Sequence, residues 1–142
     1  MRDAPAWAVE MLAAARVARL ATANRSGQPL VVPVCFVVHD DVVYSAVDAK
    51  PKRTRELRRL RNVAENPRVS LVVDRWDEDW TRLAWVIVEG TAGILTTDLE
   101  RAPALAALVA KYPQYRAMEL TTTAGAVLAI TPARVLAWRA AA

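Results

Sequence analysis

Lys50-Pro-Lys-Arg-Thr-Arg-Glu-Leu-Arg-Arg-Leu-Arg61 holds seven basic residues against a single acid, Glu56. The whole chain has 19 Lys+Arg and 15 Asp+Glu, so outside this stretch twelve basic residues face fourteen acids. The positive charge is local, set into a body that is near neutral. A discrete basic segment suits a discrete anion, first of all a phosphate-bearing small molecule, whereas a diffuse basic surface suits a polyanion. Pro51 disfavours helix at Lys50. Thr54 is a suitable cap for a helix in which Leu57, Leu60 and Val63 recur at three- to four-residue spacing. Lys50, Lys52 and Arg53 then precede a helix N-terminus, where free N–H groups and the helix dipole favour an anion. Arg58, Arg59 and Arg61 are expected mostly in solvent. Charge alone leaves two readings open, a phosphate site and an arginine-rich solvated helix face.

Upstream of this segment the pattern is β. Ala18–Ala23 reads as a strand and Asn24-Arg25-Ser26-Gly27 as a turn. Leu30–His39 reads as a second strand, and Asp40-Asp41 turns into a third, Val42–Val47. Before them, Pro5–Arg16 places Trp7, Met11, Leu12 and Ala15 on one helical face, a lid for the strands after it.

Downstream, Asn66-Pro67 stops the helix and Arg68–Asp74 alternates as a fourth strand. A polar loop, Arg75–Arg82, comes next. Leu83–Leu95 is long and β-branched, with Gly90 and Gly93 as bulge or bend positions. Thr97 or Asp98 caps a helix over Leu99–Lys111. Ala126–Thr131 and Arg134–Trp138 read as two strands broken by Pro132. Short connections between six or seven strands exclude a doubly wound βαβ sheet. The expected fold is mainly β with α inserts, a small antiparallel barrel forming a single domain over residues 1–142.

Composition and residue inventory exclude several functions. Hydrophobic residues make up 54% of the chain, which argues against disorder. The longest apolar runs, such as Leu30–Val38, are too short to cross a bilayer, and Asp3 and Glu10 flank an N-terminal segment unlike a signal peptide. One cysteine excludes an internal disulfide framework and suits a reducing, cytoplasmic setting. His39 and Cys35 are the only residues of their types, so a zinc site or a Cys-His pair is not expected. Cys35 reads as a small core residue and His39 as a surface turn residue. With four glycines and no Gly-rich phosphate motif, a Rossmann or P-loop site is excluded. Any catalysis would come from a bound cofactor. The aromatics Trp76 and Trp80 lie among Asp77, Glu78 and Asp79, the wrong sign for stacking single-stranded nucleic acid.

In order along the chain stand Leu20-Ala-Thr-Ala, Gly27-Gln-Pro, Val31-Val-Pro-Val, Val43-Tyr-Ser, Lys50-x-Lys-Arg, Asn66-Pro-Arg-Val-Ser and Val88-Glu-Gly-Thr-Ala. This series resembles the flavin-binding split-barrel superfamily, which includes pyridoxamine-phosphate oxidase and its actinobacterial deazaflavin-dependent relatives. Asp74-Arg-Trp-Asp-Glu-Asp-Trp-Thr-Arg-Leu-Ala-Trp85 resembles one branch of the latter. The resemblance implies a homodimeric split β-barrel with a flavin or deazaflavin at the dimer interface, coenzyme F420 or alternatively FMN. It implies an F420-dependent oxidoreductase passing a hydride to a small-molecule electron acceptor, with a non-catalytic flavin, F420 or haem carrier as the alternative. Neither a nucleic acid nor a membrane is an expected partner.

By position, the resemblance assigns the phosphate to Lys50, Lys52, Arg53, Thr54 and Arg55. Ser45, Ala46, Val47 and Asp48 would line the ring by backbone contacts, opposite Val32, Pro33 and Val34. Trp76, Trp80 and Trp85 would cross from the partner subunit, although Trp85 also reads as core and the other two as loop anchors. Pyridoxamine-phosphate oxidase carries a basic, histidine-containing substrate motif at its C-terminus. Here only Arg134 and Arg139 are available, which disfavours pyridoxamine phosphate as the substrate.

Overall fold

The computed structural model describes residues 1–48, 54–117 and 124–141; at residues 48, 54–57 and 124 the description is of the backbone. Its elements are α1 (Ala6–Ala14), β1 (Ala18–Ala23), β2 (Pro29–Val34), β3 (Val37–His39), β4 (Val42–Asp48), α2 (Thr54–Glu65), β5 (Arg68–Arg75), β6 (Ala84–Leu95), α3 (Asp98–Lys111), α4 (Gln114–Ala117) and β7 (Ala124–Arg139). The seven strands form one sheet in the order β2-β1-β5-β6-β7-β4-β3, with every pairing antiparallel. No helix among the described residues is long and apolar enough to cross a membrane.

Barrel closure is a consequence of connectivity. β2 and β3 are the two ends of the sheet, yet only Cys35 and Phe36 lie between them. Three Cα–Cα steps reach at most about 11 Å, so the sheet curls until its ends meet. The run expected as one strand over Leu30–His39 is therefore two strands at opposite edges. Pro29 and Pro33 suit the edge strand β2, where a missing N–H breaks no outer ladder.

Alternation fills the inside. Along β6, Val86, Val88 and Ala92 point inward, while Trp85, Ile87 and Glu89 point outward. Leu20, Phe36, Val43, Leu71, Val73, Leu128 and Ile130 complete the interior, with Leu12 of α1 and Val63 of α2 packed on it. A second cluster sets Ala104, Leu105, Leu108 and Tyr112 against Val37 and Val127.

Two turns behave as their residues dictate. Asn24 Oδ1 accepts from Ser26 N and Gln28 N, both at 2.9 Å, and Gly27 takes a φ of +85°. Asp40 and Asp41, with φ of 50° and 61°, close the β3–β4 hairpin in the primed geometry that matches strand twist. Thr97 Oγ1 accepts from Glu100 N at 3.2 Å and caps α3.

Pro132 does not break the last strand. β7 runs through it because the register against β6 shifts between Glu89 and Gly90, leaving Ala133 as an extra residue opposite the pair. A bulge leaves the ladder position at Pro132 without need of an N–H. Gly90 is required there, since a Cβ would lie 2.2 Å from the Thr131 carbonyl oxygen. Gly93 pairs regularly with Ala129, and a Cβ there meets nothing within 4 Å, so only one of the two glycines marks an irregularity.

Candidate functional site

β4 outruns its hairpin partner. β3 pairs with it only from Val42 to Tyr44, whereas β7 accompanies it to Asp48. Among the described residues no strand pairs with the other edge of Ser45–Asp48, so its backbone donors and acceptors on that side are open to a ligand. β2 likewise pairs with β1 on one edge and is the end of the sheet on the other. The two open edges flank the split and are tied across it: Ser45 Oγ donates to the Cys35 carbonyl at 2.8 Å.

Side chains divide by the strand's alternation. Ser45 and Val47 are buried, Val47 within the core, and Ala46 is half-buried against the α3 cluster. On β2, Val34 is buried and Val32 partly so, while Pro33 and Val31 are exposed. These strands therefore offer backbone, and little side-chain chemistry.

Of the phosphate set, Lys50, Lys52 and Arg53 lie outside the described residues. They belong to the five residues joining Asp48, the end of β4, to Thr54, the first residue of α2, with Arg55 next in the helix. The helix thus begins where the sequence placed its cap. Two of its arginines depart from expectation: Arg61 is exposed as expected, but Arg58 is half-buried and Arg59 is buried. Arg59, Asn62 and Val63 share the inner face, and Asn62 Nδ2 donates to Thr22 Oγ1 of β1 at 3.0 Å.

Trp76 and Trp80 are 63% and 67% exposed and touch edge to face, with centroids 6.4 Å apart. The acids between them organise the loop. Asp77 Oδ1 accepts from Asp79 N at 2.8 Å, Asp79 Oδ1 accepts from Thr81 Oγ1 at 2.7 Å, and Arg82 pairs with Asp77 at 3.3 Å. The Thr81 hydroxyl and then its N–H hold the Asp79 carboxyl below the ordinary range. This loop sits at the wrong end of the barrel to meet Ser45–Asp48 of its own chain. It adjoins Ala84, opposite Arg139, whereas Ser45 lies opposite Leu128, eleven residues back along β7. That is roughly 35 Å of strand.

Trp85 is not core. It is half-buried on the outer face and stacks on Trp138 of β7, centroids 6.4 Å apart and planes 26° apart. Leu136, Ile87 and Val72 extend an apolar outer surface from this pair. His39 is a turn residue, as expected, its Nε2 3.5 Å from the Asp40 carboxylate. Cys35, read as core, is exposed, because the β2–β3 junction turns its side chain outward.

Nothing in the sequence pattern warned of the cluster beside Cys35. The Tyr112 hydroxyl lies 3.0 Å from the Phe36 and Arg16 carbonyls and accepts from Phe36 N at 3.1 Å, stitching the end of α3 to the junction. Burial pushes the Tyr112 and Tyr115 hydroxyls up. Lys111 Nζ is buried without a hydrogen-bond partner among the described residues, 4.0 Å above the Phe36 ring. Burial, then the Arg16 charge, brings its pKa down to about 8. A tyrosine directly after a helical lysine is too common a pattern to have signalled this.

Against this geometry, the family model for pyridoxamine 5'-phosphate oxidase matches residues 5–139. No curated protein matches the chain by sequence. Several solved structures share the fold. A conserved hypothetical protein of Mycobacterium tuberculosis is 20% identical with a TM-score of 0.76, covering 96% of this chain and 84% of its own. An FAD-binding protein of Mesorhizobium loti is 25% identical with a TM-score of 0.67, covering 94% of each chain. The heme storage protein HutZ of Vibrio cholerae is 16% identical with a TM-score of 0.73, covering 90% and 89%.

Proposed function

The chain belongs to the pyridoxamine 5'-phosphate oxidase family, and we propose that it is an oxidoreductase built around a phosphate-bearing flavin-type cofactor. Coenzyme F420 is the first candidate and FMN the second, with a small conjugated organic acceptor as the substrate. The observation that carries this reading is the open edge of Ser45–Asp48, which leads within five residues into the N-terminus of α2. A heterocyclic ring with an amide-like edge needs backbone donors and acceptors in register, and a phosphate needs cations and free helix N–H groups. Both are available here in succession, Lys50, Lys52 and Arg53 supplying the cations. The likeness to a protein named FAD-binding supports the same ligand class.

When bound, the cofactor supplies the hydride chemistry. The chain's own residues bind and orient: the β4 edge against the ring, the basic segment and first turn of α2 against the phosphate. Trp76 and Trp80 cannot close over that site from the same chain, so in this reading a second copy provides them. The apolar outer surface around Trp85, Trp138, Ile87 and Leu136 is the face on which that copy would sit. The lone Cys35 suits a reducing, cytoplasmic setting.

Titration of the purified protein with FMN and with F420 tests the reading. Saturable binding of one of them at micromolar concentration or below is expected, and binding of neither overturns it. Reduced cofactor mixed with quinone, enone and nitroaromatic acceptors then separates turnover from carriage. Stable binding with no reoxidation by any acceptor would mark a carrier.

A further inference from the structure

α2 is held to the barrel by two kinds of contact. Val63 and Leu60 pack on the core, and such contacts are non-directional, leaving a helix free to settle at neighbouring rotations. The other kind is directional. Asn62 and Thr22 are 2% and 3% exposed, and the Asn62 amide donates to the Thr22 hydroxyl at 3.0 Å. Beyond it, Glu65 Oε1 accepts from Arg25 N of the β1–β2 turn at 2.9 Å. A buried polar pair of this kind adds little net stability, because each group gives up hydrogen bonds to water. What it adds is a unique azimuth.

We infer that the Asn62–Thr22 hydrogen bond fixes the rotation of α2 and so aims its first turn at the cofactor phosphate, which makes Asn62 and Thr22 positioning residues. The inference rests on the phosphate site proposed above. The helix is rigid, so an error of rotation at Asn62 is carried to Thr54. Turning it by about 25° moves backbone atoms, at the ~2.3 Å helix radius, by about 1 Å. A displacement of that size takes a hydrogen bond of ~2.9 Å out of range. The defect should be felt by a phosphate and not by the ring, which is held on β4.

The test compares FMN with riboflavin, which differ only in phosphate, and F420 with its phosphate-free deazaflavin, which lacks the acidic tail carried on the phosphate as well. The first pair decides and the second is read beside it. Wild type should prefer the phosphorylated member at least about tenfold, the scale of one charge-assisted contact. The double variant Thr22→Val with Asn62→Leu removes both polar groups together and so leaves no orphan in the core. It should keep the wild-type thermal midpoint within a few degrees yet lose most of the preference, while affinity for the phosphate-free ligand stays within about twofold. Thr22→Ser alone, which retains the hydroxyl and leaves Asn62 in place, should keep the preference. If the double variant does not fold, Thr22→Val alone is compared with Thr22→Ser. A folded double or single Val variant that keeps the full preference overturns the inference. A wild-type protein that binds both members of each pair alike overturns the phosphate site itself, and the inference with it.

Discussion

The Ser45 hydroxyl donates to the Cys35 carbonyl at 2.8 Å, and this bond joins the unpaired end of β4 to the junction where the sheet closes on itself. Ser45→Ala leaves a carbonyl of the junction without that partner. The expected loss is about 1–2 kcal/mol of stability, read as a lower urea midpoint with an unchanged slope, together with weaker cofactor binding. An unchanged midpoint would show that the junction holds without this tie.

Gly90 and Gly93 predict opposite outcomes three residues apart. A Cβ at Gly90 would lie 2.2 Å from the Thr131 oxygen and 3.1 Å from Pro132 Cα, both backbone, so neither can swing aside. Gly90→Ala should cost upwards of ~3 kcal/mol or yield insoluble protein. Gly93→Ala meets open space and should stay within about 0.5 kcal/mol of wild type. Thermal melts of the two variants side by side check the bulge.

Lys111 sets a pH dependence. Its folded pKa, about 8, lies below the ordinary lysine value of 10.5, so the unfolded chain binds the proton more tightly. The penalty for a buried charge is full below pH 8 and is relieved as pH climbs towards 10, hence stability should rise across that window. The Phe36 ring offsets part of it. Lys111→Met should flatten the rise and raise the denaturation midpoint at pH 7. A wild-type midpoint that falls steadily from pH 8 to 10 would contradict the assignment.

Lys52→Ala combined with Arg53→Ala should weaken binding of FMN or F420 by about 2–3 kcal/mol, the worth of hydrogen bonds to a charged group. The fold should be untouched, as judged by far-ultraviolet circular dichroism. Equal affinity in isothermal titration would remove these two residues from the phosphate site.

The outer surface around the Trp85–Trp138 stack should bury itself in a homodimer. Trp85→Glu with Trp138→Glu places like charges on that face and should shift the protein from dimer to monomer in sizing chromatography, with loss of cofactor binding. A monomeric wild type that binds cofactor fully would dismiss the shared site.

What the residues settle locally was legible in the sequence. The turns at Asn24–Gly27 and Asp40-Asp41, the Thr97 cap and the start of α2 near Thr54 all depend on hydrogen bonds and steric limits within four or five residues. The strand count and antiparallel pattern came from alternation and short connections. The order of motifs carried the family, and the candidate site's identity came from that order and from no single residue. For the candidate site, the sequence proposed the β4 and β2 backbones and the basic segment, of which Lys50, Lys52 and Arg53 lie outside the described residues. It did not show that β3 stops short at Val37, opposite Tyr44, leaving the Ser45–Asp48 edge open.

Tertiary structure decided everything that turns on which edge meets which. One apolar run became β2 and β3 at opposite ends of the sheet, because closure required a corner at Cys35-Phe36. That corner exposed Cys35, as the outer face exposed part of Trp85, while helix docking buried Arg59. β7 crossed Pro132 because a partner 42 residues earlier, Gly90, has no Cβ and so lets the bulge bring the Thr131 carbonyl close. Side-chain chemistry fixes what a few neighbours do. Burial and strand edges are set by contacts distant in sequence, which no local pattern encodes.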